Sequence, residues 1–545
     1  MKRSIVKKAF ALILTGAMVV GMMSGCSNSK KKTGDDTQAS GVAAVSTEGE
    51  ESSPTDYSEH MEISMAFWDV ESSLASGDEV LKSIEDKFNV KLVPQNVTWD
   101  DYGQKIQLWA ASGSLPDLFV GDFRSGSSFY TWATEGLLKE IPSDLSAFPN
   151  LEAYMDSTEL PSCQVNGKTY CIFRQTYTEQ AETAKDRLVA YRWDLAQKAG
   201  VTKEPENWDE FDSMIQKIIK ADPDNTNIQG LTSIKGLLPG IFFPYSMPLA
   251  STGGTTFKWV DKGDGTYIPS YFAGDTFGGD ALDTFKLARK MYENGTIEKE
   301  ISITTDAQTV EKFLQGQSAA ITVAGGAGFS AWNDIYQYWP DIHGKDAIED
   351  VKYLDLMPDV NGNKSYCIWD YAWSETYISS AVDDAKLNRI LAIYNYLLSD
   401  EGLMLSKYGV EGKSYEVDGN GEISYIGDKY PSDFYPSIDM FTSLVCWNNY
   451  TLDNDKLPFS YPQVYADIDK ARVEEARKVT IPEYNYDCTS AFVGMGKDFS
   501  LTLEDDLINI MTGTDSVENL WQDTIDYYKS QGLDEIIAEV NEAVK

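Results

Sequence analysis

Between residues 61 and 120 the apolar residues change their period repeatedly, and this change constrains the fold more than any other sequence feature. Unbroken or alternating apolar runs predict strands, whereas Val80, Ile84 and Phe88 recur at the spacing of a helix. The predicted elements are, in chain order, a strand at 61–68, a helix at 78–88, a strand at 90–92, a helix at 100–112 and a strand at 115–120. Strands separated by helices in this order predict an α/β fold with parallel strands.

Several later segments also show clear local patterns. The Asn166-Gly167 dipeptide predicts a two-residue hairpin turn that pairs Val165 with Lys168. Asn207 and Glu210 predict a helix start in which the glutamate returns to the amide of the capping residue. Further helices are predicted at 279–293, 304–315, 384–398 and 520–544, and further strands at 319–324 and 366–380.

The charge balance excludes one class of partner. The 545 residues include 46 Lys and Arg against 85 Asp and Glu, a formal net charge of −39 at pH 7. Binding a polyphosphate backbone needs a surplus of cations, so this chain is not expected to bind nucleic acid. Apolar residues make up 42% and aromatic residues 12%, and the mean hydropathy is −0.33. This composition and length predict about two or three soluble globular domains.

The beginning of the chain has the pattern of a lipoprotein signal. Four basic residues precede an uncharged apolar segment, 9–25, which is short for a membrane span. Met22-Met23-Ser24-Gly25-Cys26 resembles the lipobox of bacterial lipoproteins, which implies removal of residues 1–25 and a lipid, such as palmitate, on Cys26. Residues 26–58 are polar and predict a flexible tether. We therefore expect a protein anchored to the extracytoplasmic face of a bacterial membrane, with an ordinary signal peptide as the alternative.

Cysteine and histidine usage argues against metal and nucleophile chemistry. The chain has six cysteines and two histidines. No CxxC pair occurs, and the histidines, His60 and His343, are far apart in sequence, so neither a zinc site nor a histidine-dependent triad is expected. Cys163 and Cys171 flank the predicted hairpin, and its register would place them on opposite faces. That geometry disfavours a disulfide between them.

Two loops match ligand-binding motifs only in part. The loop 325–328 is glycine-rich but lacks the lysine of a phosphate-binding loop and the acid of a dinucleotide fingerprint, so no nucleotide is expected. The loop 222–227 begins like a calcium loop, but Ile228 and Ser233 stand where glycine and glutamate are needed. A solvated turn is expected there, with calcium near Asp222 as the alternative. We expect no cofactor.

Aromatic residues beside polar ones are the main functional signal. The chain has 13 Trp and 31 Tyr. An indole covers the apolar face of a sugar ring while neighbouring polar side chains bind the ring's hydroxyls. Trp68, Trp373 and Trp447 lie where predicted strands run into loops, and ligands of α/β sheets bind at the carboxyl ends of strands. These three are predicted stacking platforms, with burial in the core as the alternative reading of each tryptophan.

Six short motifs together resemble the extracellular solute-binding proteins of carbohydrate ABC transporters, in the long lipoprotein branch of the family that contains maltose-binding protein. They are ASGSLPD at 111–117, VNGKTY at 165–170, the segment 205–211 with its Trp-Asp-Glu-Phe, FLQGQSAA at 313–320, LSDEG at 398–402 and YGVEGK at 408–413. Each motif is weak alone, whereas their order and spacing together are specific.

The resemblance implies an α/β, two-lobe, periplasmic-binding-protein-like clamp with hinge crossings between the lobes. The first lobe is expected at 60–178 plus 365–440, and the second at 179–364 plus 441–545. Cleft-lining segments are expected at 67–69, 121–124 and 490–492 and in the glycine-rich loop before Trp332. Val493 stands where the maltose-type protein has an aromatic residue, which argues against a maltodextrin ligand.

The expected function is that of a monomeric, non-catalytic binding protein that captures a mono- or oligosaccharide and delivers it to an ABC permease. The expected ligand contacts are Trp68, Asp122, Arg124, Tyr177, Trp332, Trp373, Glu411 and Trp447. One alternative is a secreted glycan-cleaving enzyme, which needs two carboxylates across one cleft. Another is a peptide-binding or sensory protein.

Overall fold

The computed structural model describes residues 56–545 except 69, 100, 125, 158, 249–256, 275–279, 428, 446–455 and 498. The described residues group as one unit. None of the helices found in this part of the chain has the length and apolar character needed to cross a membrane. The predicted signal, Cys26, the tether up to residue 55 and Trp447 lie outside the described residues.

The strands follow one another along the whole described chain. They are β1 (Met61–Ala66), β2 (Val90–Pro94), β3 (Leu118–Gly121), β4 (Gln164–Val165), β5 (Lys168–Thr169), β6 (Cys171–Gln175), β7 (Leu188–Arg192), β8 (Gln229–Thr232), β9 (Trp259–Asp261), β10 (Tyr267–Pro269), β11 (Ser318–Val323), β12 (Val351–Tyr353), β13 (Ala372–Ile378), β14 (Tyr415–Val417) and β15 (Ile423–Tyr425).

Helices separate most of these strands and make up much of the C-terminal third. They are α1 (Val70–Ala75), α2 (Glu79–Phe88), α3 (Tyr102–Ser112), α4 (Ser127–Thr134), α5 (Pro149–Met155), α6 (Trp193–Lys198), α7 (Trp208–Ala221), α8 (Leu238–Phe242), α9 (Ala281–Asn294), α10 (Asp306–Leu314), α11 (Phe329–Asp334), α12 (Trp339–His343), α13 (Asp384–Leu397), α14 (Asp400–Tyr408), α15 (Pro431–Phe434), α16 (Ser437–Val445), α17 (Gln463–Ala476), α18 (Tyr486–Gly494), α19 (Leu503–Thr512), α20 (Val517–Ser530) and α21 (Leu533–Ala543).

The first sheet has five strands in the order β2-β1-β3-β13-β6. Strand β1 pairs in parallel with β2 and β3, whereas β13 runs antiparallel to β3 and β6. Helices α1 to α3 connect the parallel strands. Val80, Ile84 and Phe88 of α2 are buried in the same core as the apolar residues of these strands. The βαβαβ order predicted between residues 61 and 120 is therefore confirmed.

The second sheet has four strands in the order β12-β7-β11-β8. Strand β11 runs parallel to β8 and antiparallel to β7. Alternate residues of β7 enter different cores, with Leu188 and Ala190 on one face and Val189 and Tyr191 on the other. Because both faces are covered, β11 is buried along its whole length.

We call the part built on the five-stranded sheet the first lobe, and the part built on the four-stranded sheet the second lobe. The chain passes from the first sheet to the second between β6 and β7, and returns between β12 and β13. Helix α16 still packs in the core of the first lobe, whereas α17 to α21 pack in the second. The fold is the expected two-lobe α/β architecture. The boundaries predicted at residues 178, 364 and 440 stay predictions.

The hairpin before β6 has the predicted register, since Val165 pairs with Lys168. Cys163 and Cys171 are both buried and not disulfide-bonded, but the expectation that they lie on opposite faces is wrong. Burial raises the pKa of the Cys171 thiol, and a hydrogen bond with the Cys163 side chain raises it further, so the two thiols are neighbours. The reason is that β5 ends at Thr169 and β6 then joins the five-stranded sheet.

Helix α7 begins at the predicted position, and the Asn207 side chain accepts a hydrogen bond from the Glu210 amide at 2.9 Å. The second half of the predicted capping box differs. The Glu210 carboxylate accepts from the amide of Glu206, also at 2.9 Å, rather than from the Asn207 amide. Both bonds still satisfy amides that have no partner within the helix.

Candidate functional site

A cavity of about 480 Å³ lies between the two sheets. On the first sheet, Asp122 follows β3, Tyr177 follows β6, and Trp373 lies near the start of the antiparallel β13. On the second sheet, Arg187 precedes β7 and Ala324 follows β11, which runs in the opposite direction. Strand direction thus brings these residues to one edge of each sheet, the edge at which α/β sheets usually bind ligands.

Three aromatic side chains, Trp99, Tyr102 and Trp373, form a wall of this cavity. The ring of Trp99 lies 5.8 Å from that of Trp373 and 5.7 Å from that of Tyr102, measured between centroids. Trp68 packs behind them, 5.4 Å from Trp99 and 5.5 Å from Trp373. The guanidinium carbon of Arg174 lies 4.6 Å from the Trp373 ring centroid, so a cation–π contact also holds this wall in place.

A bulge in β13 orients Trp373. The pairing of β13 with β6 shifts register between Ala372 and Glu375, and Ser374 has a φ of 62°, in the left-handed region that serine rarely adopts. The backbone amide of Trp373 donates to the Thr176 hydroxyl at 3.1 Å. An extra residue in the strand thereby turns the indole away from the sheet and towards the cavity.

The buried carboxylate of Glu375 holds the loop after β3. It accepts hydrogen bonds from the amides of Phe123 at 2.6 Å and Arg124 at 3.1 Å, and from the Tyr377 hydroxyl. Burial, together with the nearby carboxylate of Asp122, raises the pKa of Glu375 to about 7, although Arg124 and the hydrogen bonds oppose this rise. Glu375 therefore positions Asp122 and Arg124 without reaching the cavity itself.

The guanidinium of Arg124 is directed at protein groups. It donates to Glu159 at 2.8 Å, to the Ser162 hydroxyl at 2.5 Å and to the Ala372 carbonyl at 2.8 Å, and Arg124 is only 4% exposed. Asp122 is instead accessible from the cavity. Desolvation by the surrounding protein raises the pKa of Asp122, while the charges of Arg124 and Arg174 and a hydrogen bond with the Trp373 side chain offset part of this rise.

Asp186 binds three other residues that line the cavity. Its carboxylate accepts hydrogen bonds from the Tyr177 hydroxyl at 2.6 Å and from the Gly325 amide at 3.0 Å, and it forms an ion pair with Arg187 at 2.5 Å. Arg187 has a φ of 59°, and its guanidinium carbon lies 4.4 Å from the Trp369 ring centroid. A long side chain held in the left-handed region marks a site where the surroundings impose the conformation.

The glycine-rich loop 325–328 is held by carboxylates. The Gly325 amide donates to Asp186, and the amides of Ala327 and Gly328 donate to Asp469 at 2.8 and 2.9 Å. A Cβ atom on Gly326 would lie 2.9 Å from an oxygen of Asp469, so this carboxylate needs a glycine beside it. Because these amides already have anionic partners, the loop is not a phosphate cradle, in agreement with its sequence.

Helices α10 and α11 contribute two further carboxylates, Asp306 and Asp334, to the cavity lining. Both residues are exposed. Desolvation raises the pKa of Asp334 to about 6, and the charge of Asp306 adds to the rise. Ser330 lines the cavity one helical turn before Asp334, so both residues lie on the same face of α11.

The structure brings four of the predicted contact residues together at this cavity: Asp122, Arg124, Tyr177 and Trp373. Trp68 supports the aromatic wall from behind. Trp332 lies outside the cavity lining, because its position two residues from Ser330 places it on another face of α11, where its ring packs 5.6 Å from that of Tyr465.

The two remaining predicted contacts do not join this group. Glu411 is exposed, forms an isolated bridge with Tyr415 in the first lobe, and is not among the cavity-lining residues. Trp447 is outside the described residues.

Sequence reasoning missed several cavity residues, including Trp99, Trp369 and Asp370. Trp99 follows β2 as Trp68 follows β1, so the strand-end argument used for Trp68 would have found it. Trp369 and Asp370 are an aromatic residue beside a polar one, but nothing in the local sequence shows that the segment before β13 passes the cavity. Asp306 and Asp334 carry no local signal, because they reach the cavity only through the packing of α10 and α11.

The loop 222–227 uses its acids internally. The Asp222 carboxylate accepts the amides of Thr226 at 3.1 Å and Ile228 at 3.4 Å, and Asp224 pairs with Lys198 at 2.8 Å. This arrangement closes a turn rather than leaving oxygen ligands for a cation. Within the described part of the chain, no three or more His, Cys, Asp or Glu side chains cluster in a way that could hold a metal ion.

Comparisons with known sequences agree with this architecture. A family model described as bacterial extracellular solute-binding protein matches residues 79–408. The chain is 23% identical over 483 residues to the polygalacturonan/rhamnogalacturonan-binding protein YtcQ of Bacillus subtilis (strain 168), covering 86% of this chain and 88% of the relative. It is 25% identical over 344 residues to lipoprotein LipO of the same organism, covering 62% and 64% of the two chains.

Solved structures show the same fold. The substrate-binding protein FusA of S. pneumoniae, in complex with kestose, has a TM-score of 0.64 at 13% identity and covers 89% of this chain and 98% of its own. The alginate-binding protein AlgQ2 has a TM-score of 0.62 at 16% identity, with coverages of 90% and 99%. At these identities the likeness concerns the arrangement of the lobes and not the ligand.

Proposed function

Because the chain belongs to the family of bacterial extracellular solute-binding proteins, we propose that it captures a mono- or oligosaccharide outside the cytoplasm and delivers it unchanged to an ABC permease. The observation that carries this proposal is the wall of Trp99, Tyr102 and Trp373 beside accessible carboxylates in one cavity between two lobes. Such a wall covers the apolar face of a sugar ring, and the carboxylates accept bonds from its hydroxyls.

The relatives support this choice of ligand class. YtcQ is named for binding polygalacturonan and rhamnogalacturonan, FusA was solved with kestose, and the N-glycan transport protein NgtS of Streptococcus pneumoniae was solved with Man5GlcNAc at a TM-score of 0.51. By analogy with these relatives, we propose that the ligand of this chain is a saccharide and that the two lobes close on it by a hinge motion.

The test is titration of the purified protein with a panel of saccharides, with binding measured by calorimetry and by tryptophan fluorescence. A dissociation constant near 1 μM, about −8 kcal/mol, is expected for at least one ligand, with a change in emission from the aromatic wall. Absence of binding across mono- and oligosaccharides, together with binding of a peptide library, contradicts the proposal and favours a peptide receptor. Release of new reducing ends from any bound glycan favours an enzyme instead.

We also propose that a lipid on Cys26 anchors the protein and that residues 26–58 act as the tether. Support comes from the lipobox sequence and from the relative LipO, which is named a lipoprotein. Cells that express Cys26→Ser should release the protein into the medium, whereas Ser27→Ala should leave it with the membrane and labelled by radioactive palmitate. Membrane retention of the Cys26→Ser protein after removal of its signal contradicts the anchor.

A further inference from the structure

The cavity offers a ligand several charged acceptors and few charged donors. Among the described residues that line it, five carry carboxylates and two carry guanidinium groups, and none is a lysine. The carboxylates belong to Asp122, Asp186, Asp306, Asp334 and Asp370, and the guanidinium groups to Arg124 and Arg187. A sugar hydroxyl can donate one hydrogen bond and accept others, so a bound ring uses both kinds of partner. Whichever arginine has an N–H group to spare therefore contributes to the orientation of the ring.

The N–H groups of Arg124 are already taken. Its Nη1 donates to Glu159 at 2.8 Å and to the Ser162 hydroxyl at 2.5 Å, and its Nη2 donates to the Ala372 carbonyl at 2.8 Å. Its Nε lies 3.5 Å from a carboxylate oxygen of Glu375, and the side chain is 5% exposed. Arg124 thus holds the protein together and has no donor left for a ligand.

Arg187 is different, because only part of its guanidinium is used. Its Nη1 donates to Oδ1 of Asp186 at 2.5 Å, and its side chain is 17% exposed. No described residue accepts a hydrogen bond from its Nε or its Nη2, and Nε is buried. Since a ligand cannot reach the buried Nε, Nη2 is the guanidinium nitrogen that remains for a ligand in the cavity.

The surrounding protein fixes the position of this guanidinium. The Arg187 backbone has a φ of 59°, and its amide donates to the Asp186 carboxylate at 2.8 Å. The guanidinium carbon lies 4.4 Å from the Trp369 ring centroid. A Cβ atom on Gly240 would lie 2.6 Å from Cγ of Arg187 and 2.9 Å from Cζ2 of Trp369, so only glycine fits against this pair. A donor that is already held in place loses little freedom when it binds a ligand.

The contact between Arg187 and Trp369 joins the two crossings between the lobes. Arg187 lies directly before β7, and Trp369 lies in the segment that returns to β13. Both residues line the same cavity as the aromatic wall of Trp99, Tyr102 and Trp373. The cavity of about 480 Å³ is within the range of about 300–1,000 Å³ that is usual for small-molecule sites. A ring packed on the wall therefore shares one enclosed space with the Arg187 guanidinium.

From this arrangement we infer that Arg187 is a specificity-determining residue whose Nη2 donates to one hydroxyl oxygen of a sugar ring, an inference that rests on the proposed saccharide binding. The same hydroxyl donates its proton to a cavity carboxylate, so a single neutral group satisfies a charged donor and a charged acceptor. A ligand that lacks this hydroxyl leaves both charged groups without a partner. Its affinity is expected to be about tenfold lower or less.

The test removes the hydroxyl and the guanidinium separately and together. The probes are neutral saccharides, among them glucose, galactose, cellotriose and kestose, and the tightest binder is then compared with its monodeoxy analogues. Calorimetry measures their affinities for the full mature protein and for Arg187→Met. The unaltered protein is expected to bind one analogue about tenfold more weakly than the parent sugar. Arg187→Met should bind the parent about tenfold more weakly and should no longer distinguish it from that analogue.

Two further variants separate this contact from a purely structural role. Arg187→Lys keeps a cation beside Asp186, but its single ammonium group is held by that carboxylate, so it should lose the same discrimination while the melting temperature stays close to that of the unaltered protein. Arg477→Met is the matched control. Arg477 pairs with Glu179 at 2.5 Å and does not line the cavity, so this variant should keep both affinity and discrimination.

The outcomes distinguish this inference from the function on which it rests. Deoxy analogues that all bind as tightly as the parent, or Arg187 variants that discriminate among the analogues as the unaltered protein does, overturn the inference and leave saccharide binding intact. A loss of affinity confined to uronates, and larger at about 0.01 M than at about 0.15 M salt, assigns Arg187 to a ligand carboxylate and overturns the hydroxyl contact. Absence of binding by every saccharide overturns the proposed function and the inference with it.

Discussion

The phenolic oxygen of Tyr486 lies 3.0 Å from Oε1 of Glu159, and this hydrogen bond joins the start of α18 in the second lobe to the segment after α5 in the first. The same hydroxyl lies 3.1 Å from Oδ1 of Asp370, in the crossing before β13. Lys258 pairs with Asp370, and Arg124 pairs with Glu159. One hydroxyl thus connects two ion pairs at the junction of the lobes, directly beside the cavity.

Loss of this connection is expected to destabilise the protein. Tyr486→Phe removes the donor and leaves buried carboxylate oxygens short of a partner, so the free energy of unfolding should fall by about 1–3 kcal/mol. Urea denaturation of the ligand-free protein measures this change. Tyr527→Phe is the control, since Tyr527 is 57% exposed. Equal stability of the two variants would show that the bond between the lobes contributes nothing.

The buried carboxyl group of Glu375 should make stability depend on pH. Its pKa is about 7 in the folded protein, above the ordinary value of 4.5. As pH rises from 4.5 to 7, the unfolded chain loses this proton before the folded protein does, so the contribution of Glu375 to stability falls across that window. Glutamine does not titrate, so the free energy of unfolding of Glu375→Gln should change with pH by about 2 kcal/mol less across this window.

The comparison for Glu375→Gln is Glu311→Gln, an exposed position on α10. Both variants are unfolded in urea at several pH values between 4.5 and 7.5. An unchanged pH profile for Glu375→Gln would show that the carboxyl group titrates at an ordinary pKa, and that the loop holding Asp122 does not depend on its ionisation.

Trp99 should dominate ligand affinity without supporting the fold. Its side chain lines the cavity and is 52% exposed, so truncation removes contact area for a sugar ring but little core packing. Trp99→Ala is expected to weaken saccharide binding about tenfold or more while the melting temperature stays within a few degrees. Tyr338→Ala, at a 49% exposed position outside the cavity lining, should leave affinity unchanged. Equal saccharide affinities of the two variants would show that the aromatic wall is not part of the binding site.

Calcium is not expected to bind at the loop 222–227. The Asp222 carboxylate accepts backbone amides within its own turn, and Asp224 pairs with Lys198. Millimolar calcium or a chelator is therefore expected to shift the melting temperature by less than about one degree, because a ligand that does not bind the folded state cannot stabilise it. A melting temperature that rises by several degrees on addition of calcium and falls again with the chelator would indicate that calcium binds at this loop.

Local patterns predicted the elements that depend on neighbouring residues. The period change between residues 61 and 120 predicted three parallel strands and their helices, and the Asn166-Gly167 turn predicted the pairing of Val165 with Lys168. The geometry of Cys163 and Cys171 was predicted wrongly by the same local rule, because β6 leaves the hairpin for another sheet. A register argument holds only while both strands stay in one ladder.

The sequence by itself determined the fold class, the net negative charge and the position of Trp68 at a strand end, since each follows from local spacing or from composition. Only the tertiary structure decided which polar groups line the cavity. The bulge at Ser374 turns Trp373 into the cavity. Ser330 and Asp334 lie one helical turn apart and line the cavity, whereas Trp332 lies between them on another face of α11. Two carboxylates distant in sequence hold Arg124, since Glu159 accepts from its guanidinium and Glu375 from its backbone amide. The physical reason is that a buried charged group binds the groups that surround it in space, and those groups are brought together only by folding.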